Sequence, residues 1–330
     1  MEEELLGDRS VVLFVYHRFG DDRFPSTNIG IAEFRKHLEF LQSNNYSVMT
    51  LSDALAYLKR GENKKKVAVI TIDDGYKSFQ SGAMPLLQEF KMPATLFINT
   101  ETVGSYDYLN WKELKELQGE GIEIGNHSHS HAYFLNYPEQ ERGRIFREDV
   151  VRAQDLMKEH LGLAPRIFAY PYGEYDPEMK GILSELGFDA AVAQNSGVMF
   201  TGGDQFAIPR FPMSDSYAAG FAEKVKMKPL KVFSVKPEAV LLGDQNPPVL
   251  EVTFKNDSIR AGQLQCFVQY GKCSVEVLSS DPLTVKLRAT DLLKHRRTLY
   301  TLTAPSLAGE WHWYSHLWVI PDVKGSDRGE

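Results

Sequence analysis

Two adjacent aspartates follow an apolar segment in the first quarter of the sequence. Asp73 and Asp74 come directly after the apolar run 67–72 and precede Gly75. Successive strand residues point to opposite faces, but a turn that contains glycine lets both carboxylates reach one pocket. One carboxylate can then bind a metal while its neighbour acts as a base. The alternative is a polar turn without chemistry, which is the usual meaning of an isolated Asp-Asp-Gly.

A second cluster consists of histidines. His127, His129 and His131 lie close together after another apolar segment. The four-residue spacing of His127 and His131 predicts one helical turn that carries both imidazoles on the same face. Two neutral imidazoles and a carboxylate suit Zn²⁺ or a similar divalent ion and leave positions for water and substrate. The alternative is an exposed histidine-rich turn without a metal. An expression tag is excluded by the internal position of the cluster.

Three further residues follow apolar segments but are ambiguous on their own. His17 ends the first segment, where a lone histidine is more often structural than catalytic. Tyr172 stands in a Pro-Tyr-Gly tripeptide, which is most simply a turn. Arg210 follows the last segment of the series, where the default expectation is a surface arginine.

The elements that carry these residues alternate between apolar runs and amphipathic stretches. The predicted strands are 11–16, 46–49, 67–72, 94–98, 122–125, 167–170, 190–193 and 206–209. The predicted helices are 31–44, 53–59, 79–90, 111–118, 141–161 and 177–186. Strands separated by helices indicate parallel β/α units and a barrel, in which chemistry collects at the C-terminal ends of the strands.

From about Val232 the pattern changes to closely spaced alternating segments. The predicted strands there are 232–235, 249–254, 265–270, 274–278, 284–288, 298–303 and 311–319. They indicate a small immunoglobulin-like β-sandwich. The expected organisation is a tail at 1–10, an α/β barrel domain at 11–228 with a linker near 226–230, a β-sandwich domain at 229–322 and a tail at 323–330. Cys266 and Cys273 are close enough in the sequence to allow a single local disulfide.

Composition excludes several classes of protein. The 330 residues are 43% apolar and 25% charged, which argues against disorder. A net charge of −7 without a basic tract argues against nucleic acid as a partner. The apolar runs fall far short of the ~20 residues that cross a membrane, and the N-terminus lacks the features of a signal peptide. Either the protein is cytoplasmic or the chain is a mature or trimmed form.

Together the motifs resemble one family, the metal-dependent polysaccharide deacetylases with a NodB-type domain, carbohydrate esterase family 4. The resemblance covers about residues 11–212. Three family motifs appear in order: Thr-Phe-Asp-Asp-Gly as 71–75, His-Ser/Thr-x-x-His as 127–131, and Arg-x-Pro-Tyr/Phe-Gly as 169–173. The family implies a distorted (β/α) barrel, and the joint occurrence of the first two motifs is highly specific.

Two positions depart from the family pattern. The arginine that orients the catalytic base in the family is Ala169 here, and no histidine lies between His160 and His295 to supply the late Leu-x-His motif. In both departures the chain resembles the circularly permuted branch of the family, which includes poly-N-acetylglucosamine deacetylases. That branch has a Tyr-His pair on the first strand. His17 matches that histidine. Arg210 is the candidate to replace the missing arginine.

The resemblance implies a metal-dependent N-deacetylase that uses metal-activated water on an amino-sugar glycan. Asp73 would take the proton of the water, the backbone N–H of Tyr172 would stabilise the oxyanion, and His17 would protonate the departing amine. The ion would be Zn²⁺, with Co²⁺ or Ni²⁺ as alternatives. The implied metal ligands are Asp74, His127 and His131.

The implied partner is an N-acetylated polysaccharide or oligosaccharide. By resemblance the location is periplasmic, secreted or at the cell envelope, with the cytoplasm as the alternative. Two other functions stay open: an amidohydrolase of a non-sugar amide or cyclic imide on the same fold, and a non-catalytic glycan-binding or assembly protein. Asp73 beside a complete ligand set argues against the second, because a binding module needs no base next to a metal.

Overall fold

The computed structural model describes residues 9–60, 66–254 and 259–322. The predicted C-terminal tail 323–330 lies outside these ranges, as do residues 1–8 of the predicted N-terminal tail. The inference about a signal peptide rests on residues of that N-terminal segment and lies outside the described residues as well.

The first part of the chain alternates between strands and helices, as the sequence predicts. Its strands are β1 (Ser10–Tyr16), β2 (Arg18–Phe19), β3 (Asn28–Ile29), β4 (Ser47–Met49), β5 (Val67–Ile72), β6 (Thr95–Ile98), β7 (Glu123–Asn126), β8 (Ile167–Ala169), β9 (Ala190–Val192), β10 (Met199–Phe200) and β11 (Phe211–Pro212). Its helices are α1 (Ile31–Ser43), α2 (Leu51–Arg60), α3 (Met84–Phe90), α4 (Trp111–Gly119), α5 (Glu139–Leu161), α6 (Pro177–Glu185) and α7 (Phe221–Lys224).

A curled, mainly parallel sheet organises this part. Its order is β10-β1-β5-β6-β7-β8-β9, with β11 paired to β1 and β4 paired to β5. The two ends approach each other, because Val192 in β9 bridges Ile208 while β11 pairs in parallel with β1. The predicted α/β fold is therefore confirmed.

The last predicted strand of this sheet is displaced. The sequence predicts a strand at 206–209, whereas the structure has only a bridge at Ile208 and a short strand at Phe211–Pro212. Pro209 lacks the N–H that a continuous ladder needs, so pairing resumes only after it. Arg210 consequently sits between the bridge and the strand that together bring the ends of the sheet close.

Alternation along the strands sorts their side chains onto two buried faces. Phe14 and Ile70 lie in the core cluster that contacts α1 and α3, whereas Leu13 and Val69 lie in the cluster that contacts α2. All residues of β5 are buried. A parallel strand that is covered on both faces has to be apolar throughout, which explains why these strands read as continuous apolar runs.

The second part of the chain is built of strands. These are β12 (Lys228–Pro229), β13 (Val232–Lys236), β14 (Val249–Phe254), β15 (Gln265–Val268), β16 (Cys273–Ser280), β17 (Leu283–Ala289), β18 (Arg297–Pro305) and β19 (Trp311–Val319). Among the described residues they form two sheets, ordered β12-β19-β18-β15 and β13-β14-β17-β16. Cys266 and Cys273 are joined by a disulfide, with Cα atoms 5.6 Å apart. Within the segment predicted as a linker near 226–230, Lys228 and Pro229 pair in parallel with β19.

The two parts share buried apolar surface. Leu317 and Val319 of β19 belong to the same core cluster as Phe168 and Tyr170 at the end of β8. The Trp313 ring meets the Phe211 ring edge-on, with ring centroids 5.5 Å apart. Burial of apolar surface is the main favourable term in folding, so the second part helps to stabilise the first. No helix within the described ranges is both long and apolar enough to cross a membrane.

We expect stability to fall in mild acid because of His37 on α1. Its ring is 4% exposed and stacks on the Phe221 ring, and burial lowers its pKa to about 4. Between pH 6.5 and 4 the unfolded chain takes up a proton that the folded chain does not, so the free energy of unfolding decreases as pH falls. His37→Gln should reduce the slope by at most about 1.4 kcal/mol per pH unit.

Urea unfolding at several pH values between 7 and 4.5 measures this slope. The matched control is His160→Gln, which makes the same substitution at an exposed position of α5. An equal slope in the wild type and in His37→Gln would show that His37 does not carry the effect.

Candidate metal centre and active site

The residues singled out in the sequence meet at one end of the curled sheet. Asp73 follows β5, His127 follows β7, Tyr172 lies shortly after β8, and His17 follows β1. These strands run parallel, so their C-terminal ends share one edge and their following turns converge there. The topology therefore gathers residues that are far apart in the sequence.

The Asp-Asp-Gly turn sends its two carboxylates to different partners. Asp74 has a φ of 74° and Gly75 a φ of 79°, both in the left-handed region. A Cβ atom on residue 75 would lie 2.6 Å from Cδ1 of Ile98, so only glycine fits without displacing that side chain. Asp73 is fully buried and faces Arg210, whereas Asp74 is 13% exposed and faces the histidines. The expectation that one turn serves two roles agrees with this geometry.

Asp74, His127 and His131 form a compact set of three ligand atoms. Asp74 Oδ1 lies 3.3 Å from Nε2 of His127 and 3.4 Å from Nε2 of His131, and the two Nε2 atoms are 3.2 Å apart. Ligands about 2.1 Å from a tetrahedral ion are separated by about 3.4 Å, so these spacings fit such an ion. His131 is 16% exposed, which leaves one side open to water and substrate.

Hydrogen bonding fixes which nitrogen of His127 faces the centre. Its Nδ1 lies 2.7 Å from the carbonyl oxygen of Ala169, which can only accept, so Nδ1 carries the proton. Nε2 then presents its lone pair to the centre, as a metal ligand must. Burial lowers the pKa of His131 to about 4, which keeps that imidazole in the neutral form that binds metals. The donor set therefore fits a divalent ion such as Zn²⁺.

His127 and His131 are held by a loop rather than by a helix. The predicted helical turn is wrong: the segment after β7 is irregular, and Ser128 and His131 have φ values of 70° and 52°. The Oγ of Ser128 accepts a hydrogen bond from the His131 backbone N–H at 3.0 Å. Left-handed residues bend the chain back on itself, which brings the two imidazoles together at the same four-residue spacing.

Asp149 on α5 stabilises this loop and was missed by sequence reasoning. Its Oδ1 accepts hydrogen bonds from the backbone N–H groups of His129 at 2.6 Å and Ser130 at 3.3 Å. Nothing in the local sequence separates Asp149 from the other acidic residues of a helix surface. The His129 ring points elsewhere, with Nδ1 2.8 Å from the Thr100 hydroxyl, so it is not one of the converging ligands.

Arg210 forms a buried, two-pronged ion pair with Asp73. Nη1 donates to Oδ1 and Nη2 to Oδ2 of Asp73, each at 2.7 Å, and both side chains are 0% exposed. Nη1 also donates to the Thr71 hydroxyl, and Nε donates to the Ala193 carbonyl. The default expectation of a surface arginine is wrong, because this guanidinium is required to balance a buried carboxylate.

The ion pair keeps Asp73 ionised. Burial raises the pKa of the Asp73 carboxyl, but the charge and the hydrogen bonds of Arg210 outweigh burial, so the pKa lies below its usual value. Burial lowers the pKa of His17, and the charges of Asp74 and Asp73 only partly offset that effect. The site thus places an ionised carboxylate, fixed at both oxygens, near an imidazole.

Tyr172 has a strained backbone and an aromatic environment. Its φ of 58° and ψ of 5° place it in the left-handed region, which is rare for a bulky residue. The Tyr172 ring stacks on Tyr133, with centroids 3.7 Å apart, and meets the His131 ring edge-on at 4.5 Å. Strain of this kind persists only where the surroundings enforce it, and it is typical of functional sites.

Comparison with known proteins agrees with this architecture. Residues 60–191 match the family model described as polysaccharide deacetylase. A poly-beta-1,6-N-acetyl-D-glucosamine N-deacetylase from Staphylococcus aureus is 23% identical over 215 residues, which cover 61% of this chain and 73% of the relative. IcaB from Ammonifex degensii is 29% identical, with a TM-score of 0.58 over 66% of this chain and 97% of that one.

A further solved structure supports the fold. The Streptococcus pyogenes deacetylase PplD in complex with acetate has a TM-score of 0.58 and 19% identity, covering 63% of this chain and 94% of that one. The match to the polysaccharide deacetylase model and to the deacetylase relatives implies a hydrolase that acts on carbon–nitrogen bonds other than peptide bonds. More specifically, the chain carries a polysaccharide deacetylase domain of the NodB type, carbohydrate esterase family 4, as the motifs predicted.

We expect ligand and base variants to separate metal binding from turnover. Asp74→Ala, His127→Ala and His131→Ala should each lose tight metal retention together with activity, because two remaining ligands hold an ion poorly. Asp73→Asn should retain the metal and lose turnover. His129→Ala is the matched control and should keep both. Elemental analysis after gel filtration measures the metal, and fully loaded Asp74, His127 and His131 variants would refute the ligand assignment.

Proposed function

We propose that the protein is a metal-dependent deacetylase that removes N-acetyl groups from an amino-sugar glycan. The observation that carries the proposal is the buried Asp73–Arg210 ion pair directly beside the convergent Asp74, His127 and His131 ligand atoms. A metal site alone can be structural. A carboxylate that is ionised, fixed at both oxygens and adjacent to such a site is suited to general base catalysis.

Asp74, His127 and His131 would hold the ion, which we propose is Zn²⁺. When bound there, a divalent ion acidifies water and polarises an amide carbonyl. Asp73 accepts the proton from the attacking water. Arg210 donates to both carboxylate oxygens, so it orients Asp73 and keeps it unprotonated before the reaction. In this role Arg210 replaces the motif arginine that is absent at Ala169.

Tyr172 and His17 would act on the other two charges that develop in the reaction. The backbone N–H of Tyr172 would donate to the oxyanion, and one donor in that role is worth about 10²–10³ in rate. His17 follows β1 next to the Asp73 turn, since the Asp73 N–H donates to the Tyr16 carbonyl at 3.0 Å. Burial lowers the pKa of this imidazole in the free site, so it would have to take up a proton as the substrate binds. It would then deliver that proton to the departing nitrogen, yielding acetate and a free amine.

The names of the relatives direct the choice of substrate. The Staphylococcus aureus relative is named as a deacetylase of poly-beta-1,6-N-acetyl-D-glucosamine, and we propose a polymer of this kind or another cell-envelope polysaccharide for this chain. We also propose action at the cell envelope, where such polymers occur.

Residues 229–322 would form an immunoglobulin-like β-sandwich domain appended to the deacetylase domain at 11–228. The alternating burial along β14 supports this interpretation.

Mass spectrometry of reaction products tests the function. Zinc-loaded protein is incubated with N-acetylglucosamine oligomers, peptidoglycan fragments and small cyclic amides, and loss of acetyl groups is followed. We expect deacetylation of the glycans, its loss with a chelator and its recovery when Zn²⁺ is returned. Turnover of cyclic amides alone would favour an amidohydrolase of non-sugar substrates, and binding of glycans without turnover would favour a non-catalytic protein.

His17 gives the sharpest test of the mechanism. His17→Asn should retain metal and bind substrate but lose roughly 10²–10⁴-fold in the rate of amide hydrolysis, the range of general acid–base catalysis. An aryl acetate needs little protonation of its leaving group, so its hydrolysis should fall much less. Steady-state kinetics on both substrates measure the difference. Equal losses on amide and ester would make His17 a structural or binding residue.

A further inference from the structure

Two arginines of the C-terminal sheets reach into the loops that surround the proposed active site. Arg296 directly precedes β18, and Arg297 is its first residue. Arg296 is 2% exposed, although arginine is among the residues that are almost never buried without a partner. We call Arg296 and Arg297 the arginine pair. No motif of the deacetylase domain includes them, since they lie more than one hundred residues beyond the Tyr172 turn.

Arg297 binds the turn that contains Tyr172. Its Nη1 donates to the Tyr172 carbonyl at 2.7 Å and to Oε1 of Gln194 at 3.1 Å. The neighbouring Gly173 has a φ of 69°, and a Cβ there would lie 2.4 Å from the Gln194 backbone nitrogen. The turn is therefore pressed against Gln194 on one side, and Arg297 joins the turn to that side chain.

Arg296 joins the same turn to the loop that follows the ligand histidines. Its guanidinium donates to both oxygens of Glu174, at 2.8 Å and 2.7 Å, and the Glu174 side chain is 2% exposed. Nη1 also donates to Oδ1 of Asn136 at 2.7 Å. The guanidinium carbon lies 4.0 Å from the centroid of the Tyr133 ring. A planar, always charged group with this many fixed partners is a rigid connection between two loops.

These contacts lead to the metal ligands through aromatic rings. Tyr133, under Arg296, stacks on Tyr172, and Tyr172 meets the ring of the ligand His131. Tyr172 is thus held twice, by its carbonyl through Arg297 and by its ring through Tyr133. Its backbone dihedrals are unfavourable for a tyrosine, so the surrounding contacts have to maintain them.

We propose that the arginine pair positions the Tyr172 turn for catalysis. The C-terminal sheets would then contribute positioning residues to the active site. The proposal rests on the function proposed above, in which the Tyr172 N–H stabilises the oxyanion. Arg297 fixes the peptide on the carbonyl side of Tyr172, and this restricts the direction of the N–H on the other side. Arg296 fixes the aromatic wall beside His131. Neither arginine needs to touch the substrate.

Arg297→Met tests the proposal, with Arg297→Lys as the conservative variant and Arg288→Met as the matched control. Arg288 is an exposed arginine of β17 in the same part of the chain. Arg297→Met should keep its metal, lose roughly 10–100-fold in kcat and change KM little, because a small displacement of an oxyanion donor affects the transition state.

The kcat values for the amide and for the aryl acetate should fall by the same factor, since both reactions form an oxyanion. Arg297→Lys should recover part of the rate, and Arg288→Met should match the wild type.

Hydrogen exchange provides a readout that does not depend on activity. The N–H groups of Gly173 and Glu174 donate to the carbonyls of Tyr170 and Pro171 within the turn. In Arg297→Met, mass spectrometry should show exchange of this segment accelerated by roughly 10-fold or more, while β14 exchanges as in the wild type. A merely stabilising role would instead lower protection throughout the molecule.

Arg296 needs a different design because its removal alone would take away the ion pair that balances the buried charge of Glu174, which can prevent folding. The double variant Arg296→Met/Glu174→Met removes both charges and should lower kcat and accelerate exchange in the same segment. Unchanged exchange in Arg297→Met, or unchanged kcat per metal-loaded protein, would overturn the proposal. If the wild type hydrolyses neither substrate, the proposed function fails, and the exchange measurement alone decides whether the arginine pair fixes the turn.

Discussion

The ion pair between Arg210 and Asp73 is the interaction on which both the fold and the site depend. Arg210 lies between the Ile208 bridge to β9 and the pairing of β11 with β1, so it stands where the two ends of the sheet approach each other. Its guanidinium also reaches β5 through Thr71 and Asp73. Removing one partner from a buried pair costs about 3–5 kcal/mol, because the other charge stays in the interior. The Arg210 side chain therefore connects the two ends of the sheet and also keeps the Asp73 carboxylate ionised.

In this site the strands and the turns after them have different roles. The strands bring several turns to one edge, and left-handed residues in those turns then aim the functional groups. Asp74, Ser128, His131 and Tyr172 all have positive φ values, and all lie at this edge. Non-glycine residues avoid that region unless their surroundings enforce it. The surroundings are visible here as side chains that bind the turns: Asp149 at the histidine loop and Arg297 at the Tyr172 turn.

The C-terminal sheets contact the deacetylase domain through both apolar and charged groups. Leu317 and Val319 belong to the same core cluster as Phe168 and Tyr170, and Arg296 forms a buried ion pair with Glu174. An apolar interface stabilises without fixing directions, whereas a two-pronged ion pair fixes geometry. The combination suits an interface that holds the Tyr172 turn in a fixed position.

The sequence by itself determined the alternating α/β pattern, the strand-rich C-terminal part and most of the residues that meet at the site. Apolar runs such as β5 identify buried parallel strands, and the motifs identify Asp73, Asp74, His127 and His131 because their chemistry requires those residue types. Tertiary structure alone decided that a loop holds the histidines, that Arg210 is buried against Asp73, and that Arg296 and Arg297 bind the Tyr172 turn. Periodicity reports local conformation, whereas the contacts of the three arginines join residues separated by more than one hundred positions. Local sequence carries no record of which distant charge or carbonyl a side chain will meet.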